Sequence, residues 1–256
     1  MSTALYDQVI FGPVHSRRLG LSLGVNLLSP TSKHCNFDCI YCECGWNASH
    51  PHGSFNAAEV VFQKLEEKLI QMAVESRLPD YITFAGNGEP TMHPQFKTVI
   101  DRVIEIRNRI APSAKIAVLS NATMIHLDAV REALLKVDRN ILKLDSAIEN
   151  TARTINRANH SRTTAQIIDL MQRFEGRLVV QTMLIRGDFQ GVYYDNTTQV
   201  EIQALMEAYQ AIAPSEIMLY SIDRDTPATG IIKIEHDEME NIAKIMRQEG
   251  LNVTVN

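Results

Sequence analysis

Tyr81-Ile-Thr-Phe-Ala-Gly86-Asn87-Gly88-Glu89-Pro90, followed by a helix-period stretch over 94–110, is the passage that decides the fold. Residues 81–85 are apolar or β-branched and read as a short strand. The two glycines then break it, and Phe96, Val99, Ile100 and Val103 recur at the spacing of one helix face. Strand, glycine turn and amphipathic helix in that order make one βα unit.

The same unit repeats outward in both directions. Strand-like runs are predicted at 25–28, 115–120, 140–145, 177–185 and 216–222, most of them continuously apolar, as expected for strands covered on both faces. Helical patterns fill the gaps. Over 57–77, Phe62, Leu65, Leu69 and Met72 share a face, and Asn56 with Glu59 resembles a capping box. Further helices are predicted at 127–137, 164–174, 198–213 and 237–249, with Gly250 placed to cap the last. Alternation of this kind implies parallel strands joined by right-handed crossovers. Six units are too few for a closed eightfold barrel. A partial, open (β/α)6 TIM-like barrel and a doubly wound α/β sheet are the two solutions, and both gather ligands at the carboxyl ends of the strands. The chain reads as one domain over 1–256, with a core at 25–222 and extensions at 1–24 and 223–256.

A chain of 256 residues, 45% of them hydrophobic, can bury its own core without disulfide staples. Its four cysteines all fall between positions 35 and 44, which points to metal and a reducing compartment rather than to cross-links. Neither a secretory leader nor a membrane-spanning run is readable, so the expected location is the cytoplasm. A net charge of −5 argues against bulk attraction to nucleic acid. Arg17 and Arg18, and separately Arg153, Arg157 and Arg162, are candidate basic patches or ordinary solvated surface.

The cysteines follow the first predicted strand in Ser32-Lys-His-Cys35-Asn-Phe-Asp-Cys39-Ile-Tyr-Cys42-Glu-Cys44. Thiolates bind soft or borderline metals, so zinc and iron–sulfur are the rival readings. A structural zinc site usually joins two separated pairs of ligands, whereas these residues share one short loop. Three cysteines suit a cubane with one iron left free of protein. His34, His50 and His52 flank the loop as polar residues.

Cys35-x3-Cys39-x2-Cys42, with Tyr41 before the third cysteine, resembles the defining motif of the radical S-adenosylmethionine superfamily. Gly86-Asn87-Gly88-Glu89-Pro90 resembles that family's GGEP motif, in a form with a residue between the glycines. The resemblance implies the partial (β/α)6 barrel and a [4Fe–4S] cluster on Cys35, Cys39 and Cys42. It further implies that S-adenosylmethionine is cleaved to a 5′-deoxyadenosyl radical. It places Tyr41 and the 86–90 segment at the cofactor, with Ser120, Asn121, Asp145 and Met183 as further cofactor contacts at later strand ends. A low-potential donor of the flavodoxin or ferredoxin type is implied as partner. Cys44 is either a hydrogen-atom donor or a neighbour of the cluster.

A narrower resemblance, carried by Phe11-Gly-Pro-Val-His-Ser-Arg-Arg-Leu-Gly20, Lys143-Leu-Asp145, Gln181-Thr-Met-Leu-Ile-Arg-Gly187 and Tyr220-Ser-Ile-Asp-Arg224, is to a branch similar to the wyosine-base-forming tRNA enzymes. No cysteines remain here for the second cluster of those enzymes. The substrate class stays open between small molecule, protein and RNA, with glycyl-radical activase and tRNA modification as alternatives. Arg17, Arg18, Arg157 and Arg224 are candidate contacts for an anionic substrate. The non-enzymatic rival is a zinc- or cluster-binding redox-sensing module.

Overall fold

The computed structural model describes residues 5–16, 18–47 and 55–256; Arg17, His50 and His52 lie outside them. Strands β1 (Ile10–Ser16) and β2 (Gly20–Val25) lead into helix α1 (Ala58–Val74), β3 (Tyr81–Phe84), α2 (Phe96–Ile110), β4 (Lys115–Ser120) and α3 (Asp128–Leu134). Then come β5 (Arg139–Lys143), α4 (Glu149–Asn156), α5 (Thr164–Gln172), β6 (Val179–Met183), β7 (Ile185–Phe189) and β8 (Val192–Asp195). The chain closes with α6 (Gln199–Ile212), β9 (Glu216–Tyr220), β10 (Ile231–Lys233), α7 (His236–Gln248) and β11 (Val253–Val255).

Eight strands form one sheet in the order β1-β2-β3-β4-β5-β6-β9-β11. Every pair from β2 to β11 is parallel, and β1 runs antiparallel to β2 at one edge. This is the mixed α/β architecture expected, a parallel sheet covered by helices in the manner of a partial barrel. A second sheet, β10-β7-β8, is antiparallel.

The two faces of the large sheet differ. Ile82, Phe84, Ile116, Val118, Leu142, Val180, Ile217 and Leu219 join α1, α2 and α6 in the main core, through Val61, Leu65, Leu69, Val99, Val103, Leu205 and Tyr209. The opposite face carries a small apolar layer in which Leu19 meets Ala117, Ile141, Val179 and Met218. Beyond it lie polar positions, among them Ser22, Thr83 and Gln181, and a cavity of about 770 Å³. Burial is therefore two-sided without being uniformly apolar.

Several local expectations change. The strand placed at 25–28 is β2, ending at Val25, and residues set aside as extensions supply β1, β2 and β11 to the large sheet. No side chain caps α1 at Ala57. Asn56 instead donates to the carbonyls of Asn26 (2.9 Å) and Leu28 (2.7 Å), fixing the exit of β2. The capping box that does form is Thr163 with Gln166, opening α5. Among the described residues no helix is long and apolar enough to cross a membrane.

Candidate functional site

Beyond the carboxyl ends of β2 and β3, two loops pair as if they were strands. His34 forms a parallel bridge with Gly88. Its N–H donates to the Asn87 carbonyl at 2.8 Å, and its carbonyl accepts from the Glu89 N–H at 3.1 Å. Gly88 has φ +136°, and a Cβ there would stand 1.9 Å from the His34 carbonyl oxygen. Only glycine permits this approach. Gly88→Ala is therefore expected to open the bridge and destabilise the fold by about 2–4 kcal/mol, combining backbone strain with lost hydrogen bonds. Thermal unfolding together with iron content after anaerobic reconstitution checks it, both falling in the variant.

The cysteine loop is fixed from several sides. It turns on itself through Cys42 N–H to Cys39 O (3.1 Å) and Gly45 N–H to Cys42 O (2.9 Å). The end of α4 holds it by Asp38 N–H to Asn156 O (2.9 Å) and Ile40 N–H to Ile155 O (3.1 Å). Phe37, Cys39, Ile40 and Tyr41 pack with Ile155, Met183, Ile185, Tyr194 and Ala228 in a cluster of their own. Cys39 is buried, while Cys35, Cys42 and Cys44 are half-buried.

Lys33, 3% exposed, sits at the centre of the loop. Its ammonium donates to the Gly45 carbonyl (2.9 Å) and to Asp38 (3.3 Å). Burial pulls its pKa down, but the combined attraction of Cys42, Cys35, Cys39 and Asp38 outweighs burial and holds it above the ordinary lysine value. Cys42 is lowered to about 6, chiefly by a hydrogen bond from Cys44 and by Lys33, against burial. Burial pushes Cys35 up, and Cys39 up to about 12. Sequence reading missed Lys33 because a lysine in a polar loop carries no sign of burial.

Amides reach the sulfurs. Asn121 Nδ2 lies 3.6 Å from Cys35 Sγ and 2.7 Å from Asn36 Oδ1. Cys39 Sγ donates to Asn156 Oδ1 at 3.4 Å, and a turn of that amide would present its N–H to a thiolate. Such donors are what a cysteine-held cluster uses to stabilise its charge. Among the described residues no three His, Cys, Asp or Glu side chains are gathered as around one metal ion. Ligands of a tetrahedral zinc stand only about 3.8 Å apart, whereas the three ligands of a cubane bind different irons and stand wider. Three cysteines on one loop, a buried cation among them and amide donors behind them fit the larger group.

The remaining predicted residues divide into two sets. The Gly86 carbonyl accepts from Cys44 Sγ at 3.3 Å, so Cys44 lies between the two loops and, with Gly86, lines the cavity. Tyr41 donates to Asp145 at 2.5 Å, and Met183 gives its N–H to the same carboxylate at 3.1 Å. Ser120 Oγ accepts from the Ala122 N–H at 3.1 Å, beside Asn121. Asn87, in contrast, spends its side chain within the chain, on Tyr6 (2.8 Å each way) and the Ser29 carbonyl (2.8 Å). Glu89, 2% exposed, accepts from Thr91 N–H (3.0 Å) and hydroxyl with one oxygen and from Asn121 N–H (2.6 Å) with the other. Pro90 opens a short 3-10 turn capped by Glu89. Glu89 thus clamps the loop after β3 to the loop after β4.

Lys143 and Asp145 form a buried ion pair, with side-chain exposures of 15% and 0%. The Lys143 ammonium also lies 4.5 Å from the Tyr41 ring centroid. Burial opposes its charge, but Asp145, Cys39 and Tyr220 together hold it above the ordinary value. With Tyr41, Lys143 and Met183 already on it, the Asp145 carboxylate is fully engaged inside the chain. Of the predicted arginines, Arg153 bridges Glu149 and the carbonyls of His160 and Arg162, and Arg157 stacks on Trp46 at 5.0 Å, whereas Arg18 and Arg224 line the same cavity, Arg224 paired with Glu43 at 2.9 Å.

Comparison with known proteins agrees with this geometry. The family model described as the Radical SAM superfamily matches residues 29–190, more than half of the chain. A UPF0026 protein of Methanocaldococcus jannaschii is 32% identical over 183 residues, 69% of this chain and 54% of its own length. The chain thus spans about half of that relative. Among solved structures, a radical SAM methyltransferase from Sphaerobacter thermophilus aligns over 92% of this chain and 65% of its own, with a TM-score of 0.68 at 15% identity. TYW1 with a lysine–pyruvate adduct bound aligns over 89% and 73%, with a TM-score of 0.63 at 19% identity. Identities this low speak for the fold alone.

Proposed function

The chain belongs to the radical SAM superfamily, and from that premise we propose that it is a radical enzyme using a [4Fe–4S] cluster on Cys35, Cys39 and Cys42. When bound, cluster and S-adenosylmethionine supply a 5′-deoxyadenosyl radical able to take a hydrogen atom from a substrate. The observation that carries this reading is the His34–Gly88 bridge, which joins the three-cysteine loop to the Gly86–Pro90 loop.

The chain's own residues orient and shelter. Lys33 sets a positive charge among the sulfurs, and Asn121 offers an N–H to Cys35. Gly86 lines the cavity with a carbonyl that accepts from Cys44 and could accept from an ammonium, and Glu89 keeps that loop aligned with Ser120 and Asn121. Asp145 positions Tyr41 and Met183 under the cysteine loop, with its charge matched by Lys143. Cys44 is a cluster neighbour that bonds to Gly86 rather than a fourth ligand. Since all four cysteines lie within 35–44, no set remains in this chain for a second cluster, and the wyosine-type reaction is not carried over. The electron comes from a flavodoxin- or ferredoxin-type partner.

The deciding experiment is anaerobic reconstitution with iron and sulfide, reduction with dithionite, addition of S-adenosylmethionine and chromatography for 5′-deoxyadenosine. Product is expected. A protein that holds zinc on all four cysteines and forms no 5′-deoxyadenosine would return the reading to a redox-sensing module.

A further inference from the structure

The cavity on the inner face of the sheet has one cationic group aimed into it without a full set of partners. Arg18 stands on the turn between β1 and β2, where Ser16 Oγ accepts from the backbone N–H groups of Arg18 (3.3 Å) and Leu19 (3.2 Å). The turn is pinned to the start of β3. Asp80 accepts from the Leu21 N–H at 2.7 Å, and Gly20, at φ +67°, leaves room for that carboxylate, since a Cβ would stand 2.5 Å from it. Leu19 is anchored in the apolar layer with Ala117, Ile141, Val179 and Met218. The backbone that carries Arg18 is therefore held from both sides.

Its guanidinium carbon lies 4.9 Å from the Tyr220 ring centroid. Nη1 is buried and has no hydrogen-bond partner. A buried donor left unpaired costs about 1–3 kcal/mol, more on a charged group, and stacking on an aromatic face leaves the planar N–H edge unused. That edge is the one that grips carboxylate or phosphate with two parallel hydrogen bonds. Around it the cavity is lined by His15, Ser22, Thr83 and Gln181. Its acidic residues, Glu43, Asp223 and Asp225, come from the cysteine loop and the segment after β9. Glu43 is paired with Arg224, and Asp223 with Lys233. A volume of about 770 Å³ suits a small molecule.

We propose that Arg18 binds the oxyanion group, carboxylate or phosphate, of a small-molecule substrate held in this cavity. The word substrate rests on the radical-enzyme reading; the anion site itself does not. Arg18 is a binding residue in a cavity that Cys44 and Gly86 also line.

The test uses reconstituted protein carrying its cluster, without S-adenosylmethionine, titrated calorimetrically at low ionic strength with inorganic phosphate and, separately, with succinate. Wild type is expected to bind at least one probe, and Arg18→Gln to weaken it about 10- to 100-fold, as loss of a charged hydrogen-bonding partner does. Arg102→Gln, on α2 outside the cavity and paired with Glu105, should bind as wild type does. Arg18→Gln should also keep the wild-type unfolding midpoint and affinity for S-adenosylmethionine. Weakened S-adenosylmethionine binding in Arg18→Gln would give the anion to the cofactor's methionine carboxylate and overturn the proposal. So would failure of wild type to bind either probe, or unchanged probe binding in the variant. No radical chemistry enters these readouts, so absence of 5′-deoxyadenosine in the earlier assay would leave the anion result standing.

Discussion

Serine at Cys35, Cys39 or Cys42 will leave a folded protein that retains almost no iron or sulfide and forms no 5′-deoxyadenosine, whereas Cys44→Ser will assemble its cluster. Loss of a group that merely hydrogen-bonds a metal ligand typically costs 10- to 100-fold in affinity, so loss of a ligand costs at least about 100-fold. Fold survival follows from the loop's other attachments. The backbone bonds from Asp38 and Ile40 to Asn156 and Ile155, and the His34–Gly88 bridge, involve no cysteine side chain. Cys44 differs because its sulfur is spent on the Gly86 carbonyl and on Cys42, and a hydroxyl can make the same bonds. Iron and sulfide analysis with the visible spectrum of each variant gives the answer. A cluster lost in Cys44→Ser but kept in any of the other three would mean a different ligand set.

Lys143→Met is expected to destabilise the protein by about 3–5 kcal/mol, because it leaves the buried Asp145 carboxyl group without its cation. For a chain of this size that lowers the unfolding midpoint by on the order of 10 °C. Methionine keeps the length and apolar stem of the side chain, so the loss reports charge rather than volume. Asp145→Asn should cost less, since its carbonyl oxygen can keep the Met183 N–H while its amide N–H donates to the Tyr41 hydroxyl. Lys143→Met with Asp145→Asn should recover much of the loss, the two effects being coupled through one contact. Thermal unfolding of the four proteins under anaerobic conditions completes the cycle, and additive effects would show that the pair is not the source of stability.

How much of this was legible beforehand depended on whether a residue's job is local. β3, β4 and β9 are apolar runs followed by turns, and periodicity finds such strands. β1 escaped because Gly12 and Pro13 interrupt it and its register shifts between Phe11 and Val14. β2 is placed too late in the sequence because Gly24 faces the Phe11 ring, where a Cβ would stand 2.1 Å from the nearest atom, so the strand carries glycine where a pattern search expects bulk. α4 is only eight residues long, too short for a window that looks for repeated helical turns. The loop motifs could be read because their chemistry is written in consecutive residues. Lys33, Lys143 and Asn156 could not, because burial confers their roles; Asn156 meets Cys39 across 117 positions of sequence. Arg17 lies outside the described residues. Of the other arginines proposed for an anion, Arg224 is paired with Glu43 and Arg157 stacks on Trp46, while Arg18 has a buried Nη1 without a hydrogen-bond partner.

The pairing of His34 with Gly88 has a thermodynamic corollary. Two ligands whose loops share the same backbone hydrogen bonds cannot have independent affinities, since ordering either loop prepays part of the cost of ordering the other. That linkage is reciprocal: whatever factor the first ligand adds to the second's affinity, the second returns to the first. Oxidative loss of iron from the cysteine side would thus be felt as weakened cofactor affinity, and saturation with the cofactor would slow the escape of iron. With cluster and cofactor bound as proposed, resistance to oxygen and occupancy by cofactor would be one equilibrium seen from two ends.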